Sequence, residues 1–405
     1  MIAKEILLDI IKSQRKYLEI KSASTPRDIL VQLETRSNHA IIISGIRRSG
    51  KSTLLNQLMK SQKVFHYFNF EEPRLGNFEV NDFNRLDELF QEEKPKSDYY
   101  FFDEIQNIEG WERYVRLLVD RKMKVFITGS NASLLSYELG TKLTGRNLSY
   151  TLFPFSFAEY VKYASLKANI ESFKEYFDHG GFPEYLSVKN RKLHHELLSN
   201  ILIRDIIVRY SIRDTRTIQN MAVFLLSNIG KEFSFHKLKQ LFNLGSTTTI
   251  TNFISYYEEC YLLFTVPKFD YSLKKQLVNP KKIYAIDSGF VNSVSTSFNP
   301  DLGRLLENIV FIELIRRGFK VFYYKANTEC DFIVSFQNKL QFAIQVCYSL
   351  NDENLQRELN GIEEAMNVLK INTGLILTYS TDDKFEINGK ILTVKPVWKW
   401  LLENE

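Results

Sequence analysis

Short apolar runs alternate with amphipathic helical stretches through the first part of the chain. Residues 40–44, 99–102 and 124–127 are rich in branched and aromatic side chains and have the length of buried strands, and residues 65–70 form a further strand. Stretches with helical spacing separate these runs. Because such an alternation buries a parallel sheet between helices, residues 25–152 are predicted to form a doubly wound α/β domain with its ligand at the carboxyl ends of the strands.

The loop after the first strand has the pattern of a phosphate-binding loop. Residues 45–52 read Gly-Ile-Arg-Arg-Ser-Gly-Lys-Ser, which matches the spacing G-x-x-x-x-G-K-S/T, and a helix follows. Gly45 and Gly50 allow the backbone to wrap closely around phosphates. Lys51 is expected to reach the β- and γ-phosphates, and the Ser52 hydroxyl to ligate magnesium. The predicted nucleotide contacts are Gly45, Arg47, Arg48, Ser49, Gly50, Lys51, Ser52, Thr53 and Ser130.

Two adjacent acids end the strand that follows. Residues 99–104 read Tyr-Tyr-Phe-Phe-Asp-Glu, the pattern of a Walker B strand. Asp103 is predicted to hold the magnesium ion through water, and Glu104 to polarise the attacking water as general base. A strand that simply ends in solvated acids is the alternative, and the preceding phosphate-binding loop argues against it. ATP and Mg²⁺ are therefore the expected cofactors.

Small polar residues after the next strand extend the candidate site. Residues 128–131 read Thr-Gly-Ser-Asn. Ser130 or Asn131 is the expected sensor, with a side chain that hydrogen-bonds the γ-phosphate or the lytic water. Glu71, which closes the strand at 65–70, has two open interpretations: a neighbour of the metal or a solvated strand end.

One arginine completes the set of candidate catalytic residues. Residues 144–146 read Thr-Gly-Arg, and Arg146 is expected to stabilise the transferred charge, either in its own subunit or in a neighbour's. A surface arginine is the alternative. If Arg146 acts across a subunit boundary, the protein works as a homo-oligomer, and turnover stays slow until the oligomer or a partner completes the site.

The motifs occur in an order that resembles one family. Residues 43–53, 102–106, 126–131, 144–146 and 153–160 look like the corresponding motifs of bacterial and archaeal predicted AAA-type P-loop ATPases that carry a C-terminal domain of unknown function. The likeness covers nearly the whole chain. It implies an AAA-type nucleotide-binding domain followed by further domains, and it says little about a physiological role.

The middle of the chain predicts a helical region with a winged helix-turn-helix. Helical patterns at 233–242 and 246–257 precede a strand that begins at residue 262. In such a unit Ser246 caps the second helix, and phosphates are contacted by lysines from the wing. The candidate major-groove residues are Thr247, Thr248, Thr249 and Asn252, and the lysines are Lys268, Lys274, Lys275, Lys281 and Lys282. Many such units bind or pack against proteins instead, so DNA contact stays one of two alternatives.

The last hundred residues resemble the PD-(D/E)XK nuclease fold. A helix carries Glu307, one strand begins near Asp331, and the next contains Gln345. In that fold a helix glutamate, a strand aspartate and a Glu-x-Lys pair hold magnesium for phosphodiester cleavage. Here Gln345-Val346-Cys347 replaces Glu-x-Lys, which favours a degenerate fold used for packing or nucleic-acid binding over an active nuclease. Cys347 is expected to be a small buried hydrophobic residue.

Bulk properties are consistent with a multidomain enzyme of the cytoplasm. The 405 residues carry a net charge of +5, which permits contact with nucleic acid without requiring it. The three cysteines lack paired spacing, so neither a zinc motif nor a disulfide framework is expected. No apolar run approaches the roughly 18 residues of a membrane span. We therefore expect a cytoplasmic protein without a membrane partner.

These patterns combine into one functional hypothesis with two rivals. The expected domains are an AAA-type ATP-binding domain at 1–155, a helical and winged-helix region at 156–295, and an α/β restriction-endonuclease-like domain at 296–405. The hypothesis is a Mg²⁺-dependent ATPase that acts as a nucleotide-driven switch, with DNA as a candidate partner. The rivals are an ATP-regulated nuclease, and a nucleic-acid or protein-interaction module whose nucleotide is structural.

Overall fold

The chain divides into two units, Met1–Phe153 and Pro154–Glu405. A computed structural model describes residues 1–20, 24–93, 97–132, 145–296, 301–387 and 390–403. The first unit ends close to the expected boundary at residue 155. The expected division of the second unit near residue 295 stays a prediction.

A five-stranded parallel sheet forms the centre of the first unit, in the order β2-β3-β4-β1-β5. This confirms the predicted doubly wound parallel sheet. The strands are β1 Ala40–Ser44, β2 His66–Asn69, β3 Tyr99–Asp103, β4 Lys124–Gly129 and β5 Asn147–Thr151.

Helices cover both faces of this sheet because its strands are apolar on both sides. Ile41 and Ile43 of β1 pack with the helix Lys51–Met59, whereas Ile42 lies in the core on the opposite face, beside helices Lys4–Ile20, Asp82–Glu93 and Trp111–Asp120. The helices are α1 Lys4–Ile20, α2 Lys51–Met59, α3 Asp82–Glu93 and α4 Trp111–Asp120, with 3₁₀ turns at Asp28–Val31, Pro73–Leu75 and Ile105–Asn107.

The second unit begins with helices and a small antiparallel sheet. That sheet has the order β6-β8-β7, with β6 Glu232–Phe233, β7 Leu263–Pro267 and β8 Lys281–Ala285. The helices up to this point are Phe157–Ala164, Ile170–His179, Pro183–Val188, Lys192–Asn200, Thr215–Leu226, Phe235–Leu241, Thr247–Glu259 and Leu273–Val278, with a π-helical segment at Ile201–Val208.

A six-stranded mixed sheet follows, in the order β13-β14-β12-β11-β10-β9. Its antiparallel half is β9 Lys320–Lys325, β10 Glu329–Phe336 and β11 Lys339–Cys347, and the rest is β12 Thr373–Thr378, β13 Asp383–Ile387 and β14 Lys390–Pro396. The remaining helices are Ser288–Val294, Leu302–Arg316, Leu355–Leu369 and Val397–Trp400. The strands of this sheet and Leu355–Leu369 enclose a core that includes Ile333 and Ile362, so the expected α/β character of the C-terminal region is confirmed.

A pair of glycines, Gly180 and Gly181, lies in close contact with Asp287 and Phe155. The Gly181 N–H donates to Asp287 Oδ2 at 2.7 Å, and the Phe290 N–H donates to Asp287 Oδ1 at 2.8 Å. A Cβ atom at Gly181 would lie 2.1 Å from the carbonyl oxygen of Phe155, so no larger residue fits there. Burial raises the pKa of the Asp287 carboxyl to about 6 in spite of these hydrogen bonds.

Two further features of the described residues concern their helices and their cysteines. Within the described ranges, no helix is both long and apolar enough to cross a membrane. Cys260, Cys330 and Cys347 are all buried thiols. Burial raises the pKa of the Cys347 thiol to about 11, which fits the expectation of an unreactive buried residue.

Candidate functional site

The phosphate-binding loop connects β1 to α2, and two glycines give it its shape. Gly45 has φ 152°, and a Cβ atom there would lie 2.2 Å from the Leu152 carbonyl oxygen. Gly50 has φ 98°, in the left-handed region, immediately before the first turn of α2. Both positions therefore require glycine. The loop leads directly into the N-terminus of α2, where backbone N–H groups are available to an anion.

Lys51, the first residue of α2, lies folded onto this loop. Its side chain is 4% exposed, and Nζ donates to the Gly45 carbonyl oxygen at 3.0 Å and to that of Ile46 at 3.2 Å. The same Nζ lies 3.7 Å from Glu104 Oε1. The lysine charge is thus held between the loop and the end of β3.

Asp103, the last residue of β3, is completely buried. Its Oδ1 accepts a short hydrogen bond from Thr128, and its Oδ2 accepts one from the Tyr67 hydroxyl at 3.4 Å. A hydrogen bond with Ser52 connects it to α2. Burial and the adjacent Glu104 charge raise the pKa of Asp103 above its ordinary value. A cation at this point would favour the ionised carboxylate.

Glu104 follows in a left-handed backbone conformation, with φ 52°. Such a conformation costs a non-glycine residue on the order of 1 kcal/mol and directs the side chain away from the strand. Gln106 Nε2 donates to Glu104 Oε2 at 2.5 Å. Burial opposes ionisation, but Lys51, Gln106 and Arg47 outweigh it, so the pKa of Glu104 lies below its ordinary value. The pKa of Asp103 is therefore raised and that of its neighbour Glu104 is lowered.

Thr128 is a residue of this site that the sequence reasoning passed over. Its hydroxyl donates to Asp103 Oδ1 and accepts the backbone N–H of Glu104 at 3.1 Å. Ser130 hydrogen-bonds Glu104, and Asn131 is completely buried beside it in the chain. The sequence did contain a signal for Thr128, because it is the first residue of the polar run at 128–131. Thr128 still belongs to β4 and therefore lies closer to the end of the neighbouring strand β3 than the later residues of this run do.

Arg27 is a second missed residue, and it supports the loop. Its side chain is buried, with Nη1 donating to the Ser49 carbonyl oxygen at 2.9 Å and Nη2 to that of Phe153 at 2.7 Å. It therefore ties the phosphate-binding loop to the chain after β5. No sequence motif marks this position, since Arg27 lies far upstream of the loop.

A polar cavity of about 440 Å³ opens beside Ser52 and Asp103. Helix α1 forms part of its wall through Gln14, whose side chain pairs with the backbone of Asn69 on the edge strand β2, at 3.0 Å and 2.9 Å. Tyr67, from the same strand, completes the wall next to Asp103. Helix α1 is thus fastened to the side of the site where the predicted metal ligands lie.

The other predicted loop residues surround this centre. Arg47 Nη1 lies 3.1 Å from Glu71 Oε1, so the structure gives Glu71 an arginine partner at the surface. Arg48 adopts a left-handed conformation with φ 65°. Thr53 lies in the first turn of α2 and is half-buried.

Arg146 lies away from the other predicted catalytic residues. It precedes β5, where Asn147 pairs with Ala40 at the amino end of β1, whereas the phosphate-binding loop follows the carboxyl end of β1. Its guanidinium forms an ion pair with Asp120. The structure therefore does not bring Arg146 to the site within one chain, and a contribution to a neighbouring subunit stays a prediction. Thr144 of the same motif lies outside the described residues.

The residues of this site fit a nucleoside triphosphate and its metal ion. Within the described residues, the Ser49 hydroxyl is buried and makes no hydrogen bond, which leaves a donor in the loop for a phosphate oxygen. Ser52 and Asp103 offer the oxygen ligands that Mg²⁺ prefers. A loop that contains two required glycines, one lysine and two acids thus meet at the carboxyl ends of the strands.

Comparisons with known families match both parts of the chain. A family model described as an AAA domain matches residues 37–161. A second model, described as a domain of unknown function (DUF8612), matches residues 170–301.

Two relatives align along nearly the whole chain. An uncharacterized protein of Methanocaldococcus jannaschii, MJ1544, is 34% identical over 434 residues, covering 99% of this chain and 96% of its own length. An uncharacterized protein of Haemophilus influenzae is 31% identical over 390 residues, covering 89% of this chain and 94% of its own. Among solved structures, a Walker-type ATPase of Pyrococcus abyssi has a TM-score of 0.42 and 16% identity, covering 68% of this chain and 99% of that one.

Proposed function

Because this chain belongs to the AAA-type P-loop ATPase family that includes these archaeal and bacterial relatives, we propose that it binds ATP with Mg²⁺ at the phosphate-binding loop and hydrolyses it. The convergence of Lys51, Asp103 and Glu104 at one edge of the sheet carries this proposal. A structural nucleotide would need the loop and the lysine. It would give no reason for an ionised glutamate, only 12% exposed, beside them.

Each residue has a proposed task that follows from its contacts. Ser52 and Asp103 would hold the metal ion, which when bound supplies positive charge to the phosphates. Lys51 exchanges its two loop carbonyls for phosphate oxygens, an exchange favoured because an anion is a better partner for ammonium than a neutral carbonyl. The backbone N–H groups at the start of α2 bind the remaining phosphate charge.

Glu104 is the proposed general base. Its depressed pKa keeps it ionised at neutral pH, ready to accept a proton from a water molecule. Gln106, Thr128 and Ser130 orient it through its carboxylate and its backbone. Arg146 is proposed to act only across a subunit boundary, which makes turnover by the isolated chain slow.

A phosphate-release assay tests the assignment of Glu104. Glu104→Gln should retain ATP binding and lose about 10² to 10⁴-fold of the hydrolysis rate, because the amide cannot accept the water proton. Glu109→Gln is the matched control, since Glu109 is an exposed glutamate in the same loop region. Equal rates for Glu104→Gln and wild type would refute the proposed base.

We further propose that the middle region is a winged helix and a DNA contact through which nucleotide turnover is transmitted. The antiparallel order β6-β8-β7, with the helices Phe235–Leu241 and Thr247–Glu259 between the first two strands in the chain, supports the winged-helix interpretation. Thr247, Thr248 and Asn252 are exposed at the start of the second helix, which supports a groove-facing role.

The wing lysines offer the test of this DNA contact. Lys274 and Lys275 are exposed on Leu273–Val278, between β7 and β8. Replacing both by alanine should weaken binding of duplex DNA and lower the slope of log affinity against log salt by about two, because two phosphate contacts are lost. Fluorescence anisotropy at several salt concentrations measures this, with Lys384→Ala, an exposed lysine of β13, as control. An unchanged slope would exclude the wing from DNA contact.

A further inference from the structure

The carboxylates that the nuclease resemblance singled out meet around a lysine. Lys282 of β8 is 3% exposed, and its Nζ lies 3.1 Å from Glu307 Oε1 and 3.0 Å from Asp331 Oδ1. A third acid, Glu329, is 2.8 Å from the same Nζ. Lys282 comes from the small antiparallel sheet, Glu307 from the helix Leu302–Arg316, and the two other acids from β10. One ammonium group therefore joins three elements.

The hydrogen-bonding groups of this cluster are engaged within the protein. Asp331 Oδ2 accepts the Val346 N–H at 3.0 Å, and Glu307 Oε1 also accepts the Tyr284 hydroxyl at 2.5 Å. Gln345 Oε1 accepts the Asp331 N–H at 3.2 Å, while its Nε2 donates to Glu358 at 2.6 Å. The nuclease fold would require several of these oxygens to face a metal ion instead.

A divalent metal does not fit this arrangement. Within the described part of the chain, no group of three or more histidine, cysteine or acidic side chains is arranged to hold a metal ion. The lysine of the Glu-x-Lys pair is also absent, since Cys347 occupies its position and has a sulfur 3.1 Å from the Ser349 carbonyl oxygen. The residues of this cluster therefore do not fit the divalent metal ion that the resemblance to the nuclease fold implies.

We propose that the ammonium group of Lys282 replaces the divalent cation of a nuclease site, so that the C-terminal domain fastens β8 to the helix Leu302–Arg316 and β10 instead of cleaving phosphodiesters. Buried acids side by side repel each other unless a cation lies between them. A lysine supplies that cation permanently and cannot leave, as a metal can. Glu307 and Asp331 retain the positions of metal ligands but act as anchors for the lysine.

The proposal predicts a latent metal site. Lys282→Met removes the charge while preserving most of the side-chain volume, and it leaves two buried carboxylates without a cation. The nucleotide-free variant should bind one Mn²⁺ per chain in a calorimetric titration, and Mn²⁺ should raise its melting temperature. Wild type and the control Lys281→Met, a change in the half-exposed neighbouring lysine, should show neither effect. Identical Mn²⁺ titrations for Lys282→Met and wild type would contradict the proposal.

Melting temperatures and a DNA-cleavage assay test the proposal even if Lys282→Met folds poorly. Its melting temperature should fall by roughly 10 °C, since an uncompensated buried charge remains. Adding Asp331→Asn should recover much of that loss, because the repelling charge is removed along with the cation. A double variant no more stable than the single one would count against a lysine acting as the cation. Wild-type protein should leave DNA intact in Mg²⁺ or Mn²⁺, and cleavage that disappears in Asp331→Asn would overturn the proposal.

Discussion

The Thr128 hydroxyl connects Asp103, the last residue of β3, with Glu104, which follows the strand. It donates to Asp103 and accepts the backbone N–H of Glu104, so one side chain sets the metal ligand and the general base relative to each other. Supporting contacts of this kind fix a carboxylate in the orientation that its chemistry requires. The energetic consequence should therefore appear in turnover more than in nucleotide affinity.

Replacing Thr128 by valine tests this connection. The substitution preserves the shape but removes the hydroxyl, so we expect the hydrolysis rate to fall about 10 to 100-fold with a smaller change in ATP affinity. Steady-state kinetics together with calorimetry separates the two effects. Thr151→Val, at the end of β5, is the matched control. A loss of affinity with an unchanged rate constant would show that Thr128 does not orient the carboxylates.

At this scale the sequence indicated the motif residues better than the residues that support them. Lys51, Ser52, Asp103 and Glu104 stand at fixed spacings that phosphate chemistry demands, and they do meet in space. Arg27 was not singled out, and the prediction that Lys282 is a wing lysine contacting phosphate was wrong, because each side chain is buried in contacts with segments distant in the chain. Sequence spacing carries information about local loops and very little about such long-range partners.

Among the elements, the segment around Gly181 shows how backbone contact determines sequence. Only glycine lets the chain pass this close to the backbone of Phe155, since the Phe155 carbonyl oxygen occupies the space of a Cβ atom. The Asp287 carboxylate then accepts the buried N–H of Gly181 and caps the N-terminus of the helix Ser288–Val294. The sequence shows the pair Gly180-Gly181, but only the fold shows that Asp287 is its partner.

Gly181→Ala should destabilise the second unit by about 1–3 kcal/mol, because the added methyl group cannot be accommodated without moving backbone. Chemical denaturation measures the change. Gly245→Ala serves as control, since a Cβ atom at Gly245 would meet nothing within 4 Å and its φ is not positive. Equal stability of the two variants would mean that the backbone near Phe155 is free to move.

On the scale of the whole molecule, the hydrophobic pattern predicted the architecture of the first unit correctly. Strands such as β1 are apolar on both faces, and this pattern belongs to a parallel sheet covered by helices. The second unit was harder, since short strands such as β6 have no distinct periodicity. The two relatives align with both units.

The proposed switch transmits nucleotide turnover to the second unit, so it depends on nucleotide binding by the first unit. Calorimetric titration of ATP into purified protein, with Mg²⁺ and again with the metal chelated, is the most direct measurement. We expect saturable binding of one ATP per chain that weakens without Mg²⁺ and disappears in Lys51→Ala, because the lysine and the metal share the phosphate charge. A well-folded wild-type protein with no affinity for ATP would contradict the account at its centre.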